Sequence, residues 1–198
     1  GGVLIVLIFM TEGAAIMLLM VALFAYHAFA SSLREVGARR LPSDACEALT
    51  QEDETVRDQI LQMDIATLGP SDNPLLAELT TVTGKSEEIC GRAIEEYKRF
   101  LFVKYKSAHQ VTPSGIVDEV WHLHMQHSTH YWPVLCGEIL RRPFHHNPAC
   151  GRPGEWAQFR DQYLRTIAAY TWLFREAPPV NYWPRGPSIQ QRRALVAG

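Results

Sequence analysis

The chain has 198 residues and a formal net charge of −2, so it lacks the basic footprint expected of a nucleic-acid-binding domain. Its hydrophobic fraction of 47% is ordinary for a globular protein, but the apolar residues are concentrated before residue 31. The polar remainder suffices for one domain with its own core. The four cysteines form no CxxC pair and fit no zinc-finger pattern, and reduced buried thiols are favoured over disulfides.

The first predicted element is a transmembrane helix. Residues 2–30 read GVLIVLIFMTEGAAIMLLMVALFAYHAFA, and about 20 apolar residues are enough to cross a bilayer. A secretory signal would carry a basic n-region and a shorter apolar run, and neither is present. Arg34, Arg39 and Arg40 follow the run and no basic residue precedes it. The positive-inside rule therefore predicts a single-pass protein of the inner (cytoplasmic) membrane, with its soluble domain in the cytoplasm.

Glu12 lies inside this apolar run, where a charged side chain costs roughly 3 kcal/mol or more at mid-membrane. One interpretation is a contact with a neighbouring membrane helix or a ligand, for which the adjacent Gly13 and Ala14 permit close helix packing. The alternative shifts the span to about 13–30 and leaves Glu12 at the level of the headgroups. Both interpretations stay open at this point.

Behind the span the sequence predicts an all-α fold, a compact soluble bundle of about five helices. The expected organisation is a membrane anchor, a juxtamembrane linker, a helical domain and a basic tail, over 1–32, 33–54, 55–184 and 185–198. Ser43 or Asp44 would cap a first helix that runs towards Leu68. Gly69–Pro74 then breaks the chain.

The next two helices are predicted from apolar spacing and from their start and stop signals. A short helix covers Leu75–Val82, with Gly84 after it as a stop signal. Ser86 opens the following helix, in which acidic residues come first and Lys104 and Lys106 come last. This order of charges suits the helix macrodipole.

Proline residues mark the limits of the last predicted helices. Thr112 and Pro113 fit the N-cap and first turn of a helix over about 113–131, after which Pro133 permits only a kinked or restarted continuation. The segment RRPFHHNPACGRPG is a loop by composition. An amphipathic helix then begins at Glu155 and is ended by Pro178–Pro179, and no β-alternation appears.

Histidines are the conspicuous chemical feature. Asp118 and His122 are four residues apart on one predicted helix, so they can chelate one ion together. A site would add His145 or His146 from the loop, and such Asp/His ligation suits zinc or iron. In the favoured alternative no metal is required: Trp121 and His122 pack into the core, Asp118 accepts a hydrogen bond from His122, and the remaining histidines lie on the surface.

Other candidate chemistry is weaker. HExxH, GxSxG, P-loop, GxGxxG and CxxCH motifs are absent, so no complete catalytic signature is found. Glu95 and Glu96 are adjacent on a helix and are predicted to form a solvated stripe rather than a catalytic pair. One aromatic set is predicted to pack the last helix against a docked tail rather than to form a binding platform: Tyr170, Trp172, Tyr182 and Trp183.

Several stretches resemble the glycine-rich-domain-containing protein family and related bacterial membrane proteins that carry the same module. They are AIEEYKRF, VTPSGIVDEVWHLHMQHSTHYW, LCGEILRRPFHHNP and YLRTIAAYTWLFREAPPVNYWP, and the resemblance covers approximately residues 55–185. The resemblance implies that the Asp, Trp and His residues that recur in the family correspond to Asp118, Trp121, His122 and His146. It implies no particular reaction. Residues 1–198 contain no glycine-rich stretch of the kind that the family's name describes, so no role of such a region is carried over.

Two functions are compatible with these observations. The favoured one is a non-catalytic, membrane-anchored accessory or structural subunit in the lipid bilayer. It would pack against integral membrane proteins of a larger assembly, respiratory or photosynthetic, and stabilise them. The alternative is a membrane-tethered metal-binding protein or metalloenzyme that uses the Asp/His site. The single anchor, the unusual Glu12 and the lack of a catalytic signature favour the first.

Overall fold

The computed structural model describes residues 48–147 and 152–185, all of which belong to one compact unit. These residues form helices and contain no strand, which confirms the all-α class for the part described. The elements in chain order are α1 (Gln51–Gln62), α2 (Leu75–Thr83), α3 (Glu87–Lys106), α4 (Gly115–Gln126), α5 (Ser128–His130), a π-helix (Tyr131–Ile139) and α6 (Glu155–Phe174).

The predicted membrane anchor over 1–32 lies outside the described residues, together with Glu12, Gly13 and Ala14. Most of the predicted linker and of the basic tail lie outside them as well. Among the helices of the described ranges, none is both long enough and apolar enough to cross a bilayer. The anchor, its orientation and its contacts therefore stay predictions.

The described start of α1 is set by a reciprocal cap. The Thr50 side chain accepts a hydrogen bond from the Asp53 backbone N–H, and the Asp53 carboxylate accepts one from the Thr50 backbone N–H at 2.8 Å. This capping box satisfies two N–H groups that have no partner within the helix. The predicted caps Ser43 and Asp44 lie outside the described residues.

The end of α1 differs from the prediction, because the helix stops at Gln62 and not near Leu68. The reason lies on α3, where the buried Lys98 donates hydrogen bonds to the carbonyl oxygens of Leu61 and Met63 at 2.9 and 3.2 Å. Carbonyls in the last turn of a helix need partners from outside it. A residue distant in sequence thus supplies the partners for the carbonyls at the end of this helix.

The caps of α2 and α3 agree with the sequence prediction. Gly84 follows α2 in the left-handed conformation, with φ of 65°, and Ser86 accepts a hydrogen bond from the Ile89 backbone N–H at the start of α3. The predicted cap of α4 is wrong: Ser114 is the N-cap and Thr112 is not. Thr112 is bonded to α6 instead, since its N–H donates to Thr166 Oγ1 at 2.9 Å.

Helix α3 lies at the centre of the bundle and packs against α1, α2, α4 and α6. Most of its second half is buried, including Tyr97 and the run from Phe100 to Val103. Burial of large apolar side chains is the main favourable term in folding, so this helix anchors the core. Aromatic rings from α4 and from the residues after α6 complete it: the Phe100 ring lies 5.5 Å from that of Trp121 and 6.2 Å from that of Trp183.

The burial of Glu96 contradicts the prediction that Glu95 and Glu96 form a solvated stripe. Glu95 is half exposed, as expected, but Glu96 is fully buried. One oxygen of Glu96 accepts hydrogen bonds from Tyr170 Oη at 2.9 Å and Trp183 Nε1 at 3.0 Å, and the other pairs with Arg92 at 2.9 Å. The core-packing interpretation is thereby confirmed for Tyr170 and Trp183, which are both buried.

The predicted helix over about 113–131 is interrupted earlier than the sequence indicated, because α4 ends at Gln126 and Pro133 lies within a later helix instead of at the break. The chain breaks at His127, continues through α5 and enters the π-helix, which contains Pro133 and ends before Leu140. The Leu140 N–H bonds to the Leu135 carbonyl, five residues back, at 2.9 Å. π-helical turns occur frequently at functional sites, and this one leads directly into the loop that carries His146.

Replacing Glu96 by alanine is expected to lower the free energy of unfolding by about 3 kcal/mol, because Tyr170 Oη and Trp183 Nε1 lose a buried acceptor. Urea denaturation of the full chain in mild detergent would measure the change. Glu95→Ala is the matched control on the same helix, with an expected cost below about 1 kcal/mol because Glu95 is half exposed and Lys98 keeps its bonds to the carbonyls of Leu61 and Met63. Equal costs for the two variants would contradict a structural role of the buried carboxylate.

Candidate metal site

Three potential metal ligands converge at one place: Asp118 and His122 on α4 and His146 in the loop after the π-helix. One ligand atom from each lies within 4.8 Å of the other two. The Asp118 and His146 side chains share a hydrogen bond of 2.8 Å, and His122 Nε2 lies 3.9 Å from the other Asp118 oxygen. Within the ranges 48–147 and 152–185, no other group of three His, Cys, Asp or Glu side chains is as close.

Helical spacing explains two of the three positions. Helix α4 starts at the Ser114 cap, and residues four apart on a helix are neighbours on one face. Asp118 and His122 therefore present their side chains one above the other. Trp121 is buried next to them, so the helix is fixed in rotation about its axis.

A chain of buried contacts holds His146 in place. Trp121 Nε1 donates a hydrogen bond to Tyr131 Oη at 2.9 Å, and Tyr131 Oη donates to the Phe144 carbonyl at 2.6 Å. The Trp121 ring also contacts the His146 ring, with centroids 4.7 Å apart at an angle of 76°. The first residue of the π-helix thus ties the loop to α4, and this tie places His146 beside Asp118.

The site is partly buried and opens on the His122 side. The side chains of His146 and Asp118 are 13% and 19% exposed, whereas that of His122 is 40% exposed. The His122 and His146 rings pack against each other with centroids 4.5 Å apart. A group with three protein ligands and one accessible side differs from closed structural zinc sites, which have four protein ligands.

Of the two loop histidines that the sequence offered, the structure brings only His146 to the site. His145 is exposed, and its ring lies 5.8 Å from that of Trp132. The packing alternative is correct for Trp121, which is buried. It is wrong for His122, which is partly exposed, and for Asp118, whose short hydrogen bond is made with His146 and not with His122.

His124 is a buried polar residue, although the packing interpretation predicted that it lies on the surface. It is fully buried, with Nδ1 bonded to Tyr97 Oη at 3.0 Å and Nε2 bonded to His130 Nδ1 at 2.8 Å. Its position after Val117, Val120 and Trp121 continues the buried stripe of α4 at helical spacing. That spacing was the signal in the sequence that could have identified it.

Burial lowers the pKa of His124 to about 3, and the charges of His130 and His127 contribute to the shift. The unfolded chain would take up a proton on this residue near its ordinary pKa of 6.5. The unfolded state therefore binds more protons between pH 6.5 and 3, and protonation favours unfolding there. The contribution of the neutral His124 ring to the free energy of unfolding is complete above pH 6.5. It decreases as the pH falls from 6.5 to 3.

His124→Gln is expected to make the free energy of unfolding less dependent on pH, although it also removes a hydrogen bond to Tyr97 or His130. One proton accounts for a slope of about 1.4 kcal/mol per pH unit. Urea denaturation of the metal-free protein at several pH values from 7.5 to 4 would show a slope reduced by about that amount. The exposed His145→Gln is the control and should leave the slope unchanged. An unchanged slope in His124→Gln would show that this ring is protonated in the folded state.

Comparison of the chain with protein-family models, with curated proteins and with solved structures finds no match. The resemblance to the glycine-rich-domain-containing family therefore stays a prediction that rests on the motifs quoted above. The residues gathered on α4 and in the loop after the π-helix are the basis for assigning a function.

Proposed function

We propose that this protein binds a divalent transition metal ion, zinc or iron, through Asp118, His122 and His146. The observation that carries the proposal is the convergence of the three ligand atoms to within 4.8 Å of one another. Ligands at about 2.0–2.2 Å from a tetrahedral ion lie about 3.3 Å apart. The separations from Asp118, 2.8 Å to His146 and 3.9 Å to His122, lie on either side of this value, so side-chain adjustments of about 1–2 Å would bring the three atoms to it.

The donor set suits such an ion chemically. Imidazole nitrogens bind zinc and iron well, and one carboxylate supplies a negative charge that a buried cation requires. The hydrogen bond between Asp118 and His146 holds a carboxylate oxygen and an imidazole nitrogen 2.8 Å apart, and both atoms are of the kind that bind such an ion. Protons compete with a metal ion for these atoms, so metal binding is expected to weaken as the pH falls.

The arrangement also supports an open site. Two histidines and one carboxylate on one side of an ion are typical of non-haem iron centres that keep positions for other ligands. The exposed side of His122 leaves access for water or a small molecule. A bound ion of this kind supplies Lewis acidity and lowers the pKa of a coordinated water. In our proposal Asp118, His122 and His146 hold the ion, and Trp121 and Tyr131 position the loop.

Metal binding is tested by titrating the purified full chain with zinc or ferrous ions and measuring bound metal by mass spectrometry. We expect one ion per chain, and His146→Ala should weaken binding about 100-fold or more because it removes one of three ligands. His145→Ala is the matched control, since it alters the neighbouring histidine and should change affinity less than about threefold. No stoichiometric metal, or equal losses in the two variants, would disprove the site.

A membrane-anchored accessory subunit remains a second proposal because of one observation, the apolar run over 2–30 with its single acidic residue. Extraction of native membranes with mild detergent, followed by mass and metal analysis of the same fraction, separates the two proposals. Stoichiometric migration with a larger membrane complex and no bound metal would support the accessory subunit. A chain that migrates alone and carries one zinc or iron ion would support the metal-binding protein.

A further inference from the structure

Two cationic side chains lie over the same aromatic ring beside the candidate metal site. Lys104 Nζ is 5.3 Å from the centroid of the Phe144 ring, and the Arg142 guanidinium carbon is 5.4 Å from it. Lys104 comes from the last turn of α3, and Arg142 comes from the segment after the π-helix. Two elements distant in sequence thus bring two positive charges together.

Neither cation has an acidic partner among the described residues. By contrast, Lys106 on the same helical turn pairs with Asp53 at 2.7 Å. Arg142 donates one hydrogen bond to the Tyr105 carbonyl and packs on the Tyr105 ring, which leaves its other N–H groups available. Partial burial and the charge of Arg142 both lower the pKa of Lys104, as expected for like charges held close together.

The helix dipole is too weak to account for the pair. The C-terminal end of α3 carries roughly half a negative charge, which one cation already offsets. Cation–π contacts with Phe144 are worth about 0.5–1 kcal/mol at exposed positions. Two positive charges in this place therefore leave an excess of positive potential, and an anion between them would relieve it.

One aromatic ring links the charged pair to the candidate metal site. Lys104 Nζ lies 5.2 Å from the centroid of the Trp121 ring, and the same ring contacts His146 at 4.7 Å. Phe144, under both cations, precedes His146 by two residues and is bonded through its carbonyl to Tyr131. Trp121 and Phe144, which tie the loop of His146 to α4, thus also contact the cations.

We propose that Lys104 and Arg142 bind the carboxylate or phosphate group of a small anionic ligand next to the metal ion. An arginine fork binds such groups in two-point geometry, and lysine adds a point charge. The site would select small organic acids or phosphorylated molecules over neutral ones. The position next to a metal rests on the proposed function, whereas anion binding by the two cations does not.

The test titrates the full chain in non-ionic detergent with succinate, and separately with inorganic phosphate, at constant ionic strength by calorimetry. We expect saturable binding of at least one of them, and the stronger signal tells a carboxylate ligand from a phosphate ligand. Arg142→Gln and Lys104→Met should each weaken binding about tenfold, since each removes one charge. If one variant does not fold by circular dichroism, the other decides the result.

Arg175→Gln is the matched control. Arg175 also lies over an aromatic ring, that of Trp172 at 5.3 Å, but that ring has no second cation near it among the described contacts. Its replacement should change anion affinity less than about twofold. No saturable binding in the wild-type chain, or an equal loss in Arg175→Gln and Arg142→Gln, would overturn the anion site.

Repeating the succinate titration on zinc-loaded protein separates this inference from the proposed function. Tighter succinate binding with zinc, and correspondingly tighter zinc binding with succinate, is expected for neighbouring sites of opposite charge. Unchanged affinity would overturn the placement of the anion beside the metal. Zinc binding without anion binding would disprove only the anion site, and anion binding without zinc would disprove only the metal site.

Discussion

Polar side chains buried along α3 impose the constraint on which the rest of the described structure depends. A buried donor or acceptor must find a partner, and each of these groups finds it on a different element. Lys98 binds the end of α1, Glu96 binds α6 and the residues after it, and Tyr97 binds α4 through His124. Apolar packing alone would tolerate small rotations of these helices, whereas these bonds fix their register.

The same constraint extends to the candidate site through hydrogen bonds that begin in the core. Trp121 packs against α3 and bonds to Tyr131, and Tyr131 bonds to the loop that carries His146. Asp118 therefore meets His146 because the core holds both sides of the contact. A ligand set held by the core in this way loses little conformational entropy when an ion binds.

Signals that act locally were readable in the sequence, as Gly84 and Ser86 show at the boundaries of α2 and α3. The four-residue spacing of Asp118 and His122 was readable for the same reason. The N-cap of α4 could not be predicted from the sequence, because Thr112 is bonded to α6 and not to α4. The burial of Glu96 could not be predicted either, because the Tyr170 and Trp183 side chains that bind it follow it by 74 and 87 residues. The choice of His146 over its neighbour depended on a loop conformation that no local pattern specifies.

The π-helix gives the candidate site an unusual sensitivity to chain length. Hydrogen bonds that reach back five residues accommodate one more residue per turn than an α-helix would, and Tyr131–Ile139 uses that winding up to the start of the loop. Removal of a single residue would change this winding and so rotate the chain that follows it. His146 would then leave Asp118, and the buried side chains of Leu140 and Phe144 would be displaced together with it. One codon lost in this segment would thus be enough to dismantle the site and to disturb the side of the core on which the site rests.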